Sequence, residues 1–262
     1  MTTDQLSSWL RGEIAEFVSV VDGLDPAARV PTCPEWQVRD LVGHIGQGFR
    51  WAGELVRGGS AVPVPDPKRA DPGPPSAWRG WLVDGVGELI EAVERRGEEP
   101  VWTFLGPGAA RFWLRRLLHD LVVHHFDAAN VAGRDYLVAP ELAADTICEG
   151  LELITAPEAV AWVPGLAGLR GDGRRLAVRP TDGQAGWLIT REPVGARWER
   201  EEVGAVGAGA GVRGLAGVDV VLAGRTRDVL LVLTRRLDPG DGRVSVTGDR
   251  ALLADWLAHV AY

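Results

Sequence analysis

His119 to Ala128 reads HDLVVHHFDA, and the placement of its polar residues decides how the chain is read. Around it Leu114, Leu117, Leu118, Leu121 and Val122 recur at helical spacing, which predicts a helix from about Ala109 to Ala132. Asp120 and His124 stand at i,i+4, so both lie on one face of that helix and can reach a common point. A third group from a facing helix would complete a three-ligand metal site with a position left open, the arrangement of a catalytic rather than a structural ion. Asp127 lies three residues beyond His124 on the same stripe. A carboxylate there either orients a ligand imidazole through its other ring nitrogen or sits on the helix surface. His125 is about 100° around the helix from His124, toward Leu118 and Leu121, and His119 lies on neither metal stripe.

The facing helix comes from Thr32 to Trp51, TCPEWQVRDLVGHIGQGFRW. Thr32 as N-cap, Pro34 in the first turn and Glu35 three residues on fit a capping box, so the helix is expected to open at Thr32. Val38, Leu41, Val42, Ile45 and Phe49 mark its inward face, and His44, between Leu41 and Ile45, points near the core. His44, Asp120 and His124 together offer two imidazoles and a carboxylate, a set that suits Zn2+. The same residues without metal would form a polar seam in which imidazole and carboxylate satisfy one another. Trp36, Phe49 and Trp51 read as core packing.

Two further helices complete a bundle. Leu6, Leu10, Ile14, Phe17, Val18 and Val21 mark one from about Asp4 to Leu24, stopped by Asp25 and Pro26. Trp81, Leu82, Val86, Leu89, Ile90 and Val93 mark another from about Trp78 to Arg96. Between Gly58 and Pro75 a proline-rich stretch without apolar periodicity reads as a long ordered loop or lid. A helix near Pro140 to Ile154 leads into a second domain. There the period changes to two, with strands LAVRP, GWLIT, ARWER and VDVVLAG. A helix from Thr226 to Arg236, a strand RVSVTG and a closing helix from Asp249 to His259 follow. The expected division is residues 1–156 for the bundle with its connecting helix and 157–262 for an α+β domain. The glycine-rich run Val203 to Gly217 reads as a connection rather than a phosphate cradle, because no helix opens directly from it.

Composition narrows the partners. At 262 residues, 46% hydrophobic and 24% charged, the chain can bury a full core. A net charge of -8 argues against nucleic acid or anionic membrane, which need clustered Lys/Arg, and favours a small-molecule substrate. Lys68 is the only lysine and lies in the proline-rich stretch, which sets aside Schiff-base and Walker-type chemistry. Cys33 and Cys148 are too few for a disulfide framework or a thiolate zinc site. With no apolar leader and no long apolar run, a cytoplasmic location is expected. Nothing shows a coiled-coil seam, so the expected state is monomer or homodimer.

The two helical motifs, with the tail DVVLAGRTRDVLLVLTRRL and VSVTGDRALLADWL, resemble the mycothiol-dependent maleylpyruvate isomerase family. The resemblance implies a DinB-like metal-binding four-helix bundle followed by a smaller sterol-carrier-like α+β domain. It also implies a divalent metal, Zn2+ foremost, on His44, Asp120 and His124, with mycothiol as thiol cosubstrate and a small electrophile as substrate. The family's middle ligand is usually glutamate, in the pattern H-E-x-x-x-H; Asp120 replaces it here with a shorter arm. Asp127 occupies the family's H-x-x-D position. Because the reacting thiol is supplied by the cosubstrate, Cys33 reads as structural. The family places a C-terminal-domain arginine near the site; Arg235 and Arg236 fall in the matching stretch, as a substrate or cofactor contact or as surface groups. The arginine-rich, Gly- and Ala-rich composition is that of a GC-rich genome and is compatible with an actinobacterial source, where mycothiol is made. The resemblance implies thiolate addition to an electrophile, for isomerisation or S-transfer. In the isomerases the mycothiol thiolate adds to the cis double bond of maleylpyruvate, the single bond rotates, and elimination returns thiol and fumarylpyruvate. A metal-poor binding protein and a metal-dependent hydrolase on the same scaffold remain the alternatives.

Overall fold

The computed structural model describes residues 1–183, 185–202 and 217–260, and the Val203 to Gly217 run falls almost wholly outside them. The chain divides into two compact units, Met1–Leu137 and Val138–Tyr262.

The first unit is a four-helix bundle. Helix α1 (Thr3–Val21) opens on a capping box, in which the Thr2 hydroxyl accepts from the Gln5 N–H and the Gln5 side chain accepts from the Thr2 N–H. It buries Leu6, Leu10, Ile14, Phe17, Val18 and Val21, the stripe that its sequence predicts. Helices α2 (Val38–Gly58), α3 (Pro75–Arg96) and α4 (Arg111–Ala132) follow. α1 packs on α3 and α4, and α2 packs on the same two, so the four close a ring around one core. α2 and α3 approach closely because Gly46 lies under the Trp81 indole: a Cβ added at Gly46 would come within 1.9 Å of Trp81 Nε1.

The proline-rich loop is an ordered strap. It contains a short 3-10 turn (Pro67–Arg69) that packs against α2. The Trp51 indole donates to the Val62 carbonyl at 3.2 Å, Arg39 pairs with Asp71 at 2.5 Å, and Ala70 sits over Gly43. Glycine at 43 gives this strap room next to His44.

The second unit is α+β. Helix α5 (Pro140–Thr155) and a one-turn α6 (Ala159–Trp162) lead to a five-stranded sheet. A hairpin β1 (Arg29–Val30) and β2 (Cys33–Gln37) belongs to the bundle, and the sheet comprises β3 (Arg175–Pro180), β4 (Ala185–Glu192), β5 (Gly195–Glu202), β6 (Val220–Gly224) and β7 (Val244–Gly248). The order is β5-β4-β3-β6-β7, antiparallel throughout except for the parallel pair β3–β6. Helices α7 (Thr226–Leu233) and α8 (Arg250–His259) complete it. The sequence grouped the connecting helix with the bundle; contacts group α5 with the second unit, where it packs on α7 and β5. Its Cys148 takes a hydrogen bond from the Trp187 indole of β4 at 3.2 Å.

Two boundaries differ from the sequence reading. The helix expected from Thr32 begins at Val38, and the preceding residues form the β1–β2 hairpin. There Asp40 accepts from the Gln37 N–H at 2.9 Å and caps α2 in place of Thr32 and Glu35. The helix expected to run to Arg236 ends at Leu233. Arg235 adopts a left-handed φ of 61°, and the Arg236 and Leu237 N–H groups fold back onto the Leu231 carbonyl, closing the end of α7.

Candidate metal centre

The site is assembled where α2, α4 and the hairpin meet. His44 comes from the middle of α2, Asp120 and His124 from adjacent turns of α4. Nε2 of His44 lies 3.1 Å from Asp120 Oδ2, and the ligand-bearing atoms of His44, Asp120 and His124 all lie within 4.8 Å of one another. The His44 and His124 rings meet edge to face at 5.0 Å. The sequence placed these three residues together, and the fold brings them together.

His124 is held from behind. Its Nδ1 is 2.8 Å from Asp127 Oδ2. Asp127 is fully buried, and the Thr32 hydroxyl also donates to its Oδ1 at 2.6 Å and the Cys33 thiol to its Oδ2 at 3.6 Å. A carboxylate collecting donors in this way is the acceptor, so the His124 proton sits on Nδ1 and its Nε2 is left as a lone-pair donor. Asp127 therefore orients an imidazole from the interior of the bundle and is not a surface carboxylate. Cys33, His124 and Asp127 also form a compact potential ligand group. The engagement of Asp127 with three donors makes it a support rather than a ligand there.

Asp120 is held from the side. Arg116, one turn earlier, donates to its Oδ1 at 3.3 Å. Burial works against its charge, but the hydrogen bond with His44 and the surroundings of His44, His124 and the Arg116 guanidinium outweigh that and hold the carboxyl well below the usual carboxylate range. The group is an anion at neutral pH, the form a metal ligand requires. Two imidazoles, one fixed in tautomer, and one charged carboxylate on converging atoms fit a divalent cation, zinc included.

Trp36 was read as core packing, yet it covers this group. Its ring lies 4.9 Å from His44 and stacks on His124 at 5.5 Å with 23° between the planes. No periodic signal marks it, because it stands in the hairpin, where side-chain direction follows the β1–β2 pairing and not the helical repeat expected for that segment. Thr32 was likewise missed as a site residue. His125 lies off the site, as its helical angle implies, and pairs with the buried Glu13 of α1 at 2.6 Å. His119 is fully buried and belongs to neither potential ligand group. In the second unit Arg235 is exposed and Arg236 donates to the Thr234 carbonyl at 2.8 Å. Among the described residues no helix is long and apolar enough to cross a membrane.

Residues 9–129 match the sequence profile of the Mycothiol maleylpyruvate isomerase N-terminal domain family. Among the solved structures that resemble the chain are two of the mycothiol-dependent maleylpyruvate isomerase, one of them a histidine-to-alanine variant. Each gives a TM-score of 0.57 at 14% identity and covers 95% of this chain and 95% of its own. At that identity the likeness is one of fold, and it extends over both the helical and the sheet-containing parts. No curated protein matches the chain.

Proposed function

We propose, from the match of residues 9–129 to the Mycothiol maleylpyruvate isomerase N-terminal domain family, that the protein is a metal-dependent enzyme using mycothiol as thiol cosubstrate toward a small electrophile. The observation that carries this reading is the convergence of His44, Asp120 and His124 with Asp127 behind His124.

His44, Asp120 and His124 are the residues that would hold the ion, Zn2+ by the chemistry of the donor set. When bound, such an ion favours the thiolate over the thiol of a low-molecular-weight cosubstrate at neutral pH. The protein's own groups set the conditions for that. Asp127 keeps the His124 proton on Nδ1, with Thr32 and Cys33 fixing the carboxylate in turn. Arg116 holds one oxygen of Asp120, so the carboxylate cannot swing freely. Trp36 stacks on the His124 imidazole and meets that of His44 at a tilt, and its apolar ring lowers the local dielectric, which strengthens each charge interaction inside the site. The thiolate then adds to the electrophilic carbon. In cis-trans isomerisation the bond rotates and the thiol is lost again, whereas in S-transfer it is retained in the product. Arg235 or Arg236 is the candidate contact for an anionic substrate or cosubstrate in this reading.

The test is turnover with mycothiol and maleylpyruvate, followed by loss of the cis double bond and by thiol balance. Catalysis that requires the thiol and returns it supports isomerisation; stoichiometric thiol consumption supports S-transfer. Turnover of an ester or amide without any thiol would instead favour the hydrolase reading, in which water takes the open position. A protein that takes up no metal would leave the ligand-binding reading.

A further inference from the structure

The second unit contains a concavity that the thiol chemistry does not use. The parallel pairing of β3 and β6 sets Pro180 beside Gly224, and the antiparallel pairing of β6 and β7 sets Gly224 beside Val244. The ends of three neighbouring strands thus meet at one end of the sheet, where α7 begins. Between them lies a cavity of about 410 Å³, lined by Arg225, Arg227 and Arg243, by one carboxylate, Asp228, and by Thr181, Ser245 and the small groups Ala223, Gly224, Gly242 and Val244.

Three guanidinium groups around one small cavity are notable in a chain of net charge -8. They are not equivalent. Arg243 is fixed by Asp241, Nε and Nη2 to the two carboxylate oxygens at 3.0 and 3.1 Å. Arg227 lies 3.7 Å from the buried Asp228, close enough for charge to hold it but outside hydrogen-bond range. Arg225 is exposed, and no ion pair of the described residues engages it. The first free N–H of α7 is not the attraction, because Asp182 already accepts from the Thr226 N–H at 2.7 Å and from its hydroxyl at 2.6 Å. Asp241 and Asp228 offset two of the three charges, so Arg225, with no ion pair among the described residues, supplies the positive charge open to a ligand.

We propose that this cavity is a binding site for a small organic phosphate, with the phosphate between Arg225, Arg227 and Arg243 and the organic body against Ala223, Gly224, Gly242 and Val244. The paired donor edge of Arg225 is open to two oxygens of one anion, while that of Arg243 is held by Asp241 and leaves its remaining N–H groups; a phosphate, with more oxygens than a carboxylate, can meet both arginines at once. Thr181 and Ser245 add hydroxyl donors at the rim. The volume exceeds what a bare phosphate fills and lies within the range of small-ligand pockets.

The experiment is calorimetric titration of the full chain in low-salt, phosphate-free buffer with inorganic phosphate, phenyl phosphate and benzoate. Saturable binding of both phosphates, tighter for phenyl phosphate and absent for benzoate, is expected. Arg225→Ala and Arg243→Ala each weaken it by about tenfold or more, the loss of a charged hydrogen bond. Circular dichroism checks that both variants fold, and His44→Ala binds as the unaltered chain does, which separates this cavity from the metal centre. Absence of saturable binding, or binding unchanged in both arginine variants, overturns the site. Equal affinity for benzoate overturns the phosphate assignment, and equal affinity for the two phosphates overturns the place of the organic body.

Discussion

His124 and Asp127 are joined at 2.8 Å, imidazole Nδ1 to carboxylate Oδ2, in the interior of the bundle. Three positions apart on α4, they form a unit in which one residue faces the site and the other fixes its proton. The consequence is measurable. Asp127→Asn keeps the shape but offers an amide where three donors converge, so metal affinity is expected to fall by about 10- to 100-fold while the helical circular dichroism is retained. An unchanged dissociation constant would mean that His124 needs no such support.

Asp120 is the shorter of the two acids that could serve at its position. Its oxygen nevertheless reaches 3.1 Å from His44, so this bundle is already spaced for aspartate. Asp120→Glu is therefore expected to bind Zn2+ no more tightly than the unaltered chain, because the added methylene must be accommodated against His44 and Arg116. Competition titration against a chromogenic chelator reads this directly. A gain of tenfold or more in the glutamate variant would show that the aspartate leaves the site too wide.

Much of this arrangement is legible in the sequence because the helical period is itself a geometry. Asp120 and His124 at i,i+4 predict a shared helix face without reference to any fold, the joining of His44 to them rests largely on the family resemblance, and the strands of the second unit declare themselves by alternation. What the sequence hides is decided over long distances. Thr32 to Glu35 carries a strong local capping signal, but the Thr32 hydroxyl is bound to Asp127, 95 positions away. The hairpin that this contact anchors also turns Trp36 onto the two imidazoles. The end of α7 is hidden for a different reason: Arg235 takes a conformation usual for glycine, and no glycine marks it.

Packing between α2 and α3 depends on Gly46. The Trp81 ring above it is also in contact with the Arg50 guanidinium, 3.9 Å from the ring centre, so it cannot swing away without losing that contact. Gly46→Ala is expected to destabilise the bundle by about 1–3 kcal/mol, the usual range for overpacking a close helix contact. Urea denaturation measures it, and stability equal to that of the parent would show that the helices separate at no cost.

The two cysteines should differ in reactivity. Burial pushes the Cys148 thiol up, and the Trp187 indole bonded to its sulfur offsets only part of that. Since the thiolate is the reactive form, Cys148 in the folded chain is expected to resist iodoacetamide at pH 8 and to react faster as the pH rises or the chain unfolds. Mass-resolved alkylation checks this, and labelling of Cys148 at the rate of free cysteine at pH 8 would contradict the assignment.

The most direct test of the central claim is metal content. Protein purified without chelator or affinity-metal exposure is analysed for elements beside His44→Ala and Asp120→Ala, with folding of each confirmed. About one equivalent of zinc or another divalent metal, lost in both variants, is the result expected of a three-ligand site. No metal in the unaltered protein, and none taken up when Zn2+ is added, would contradict it and leave His44, Asp120 and His124 as a polar seam between two helices.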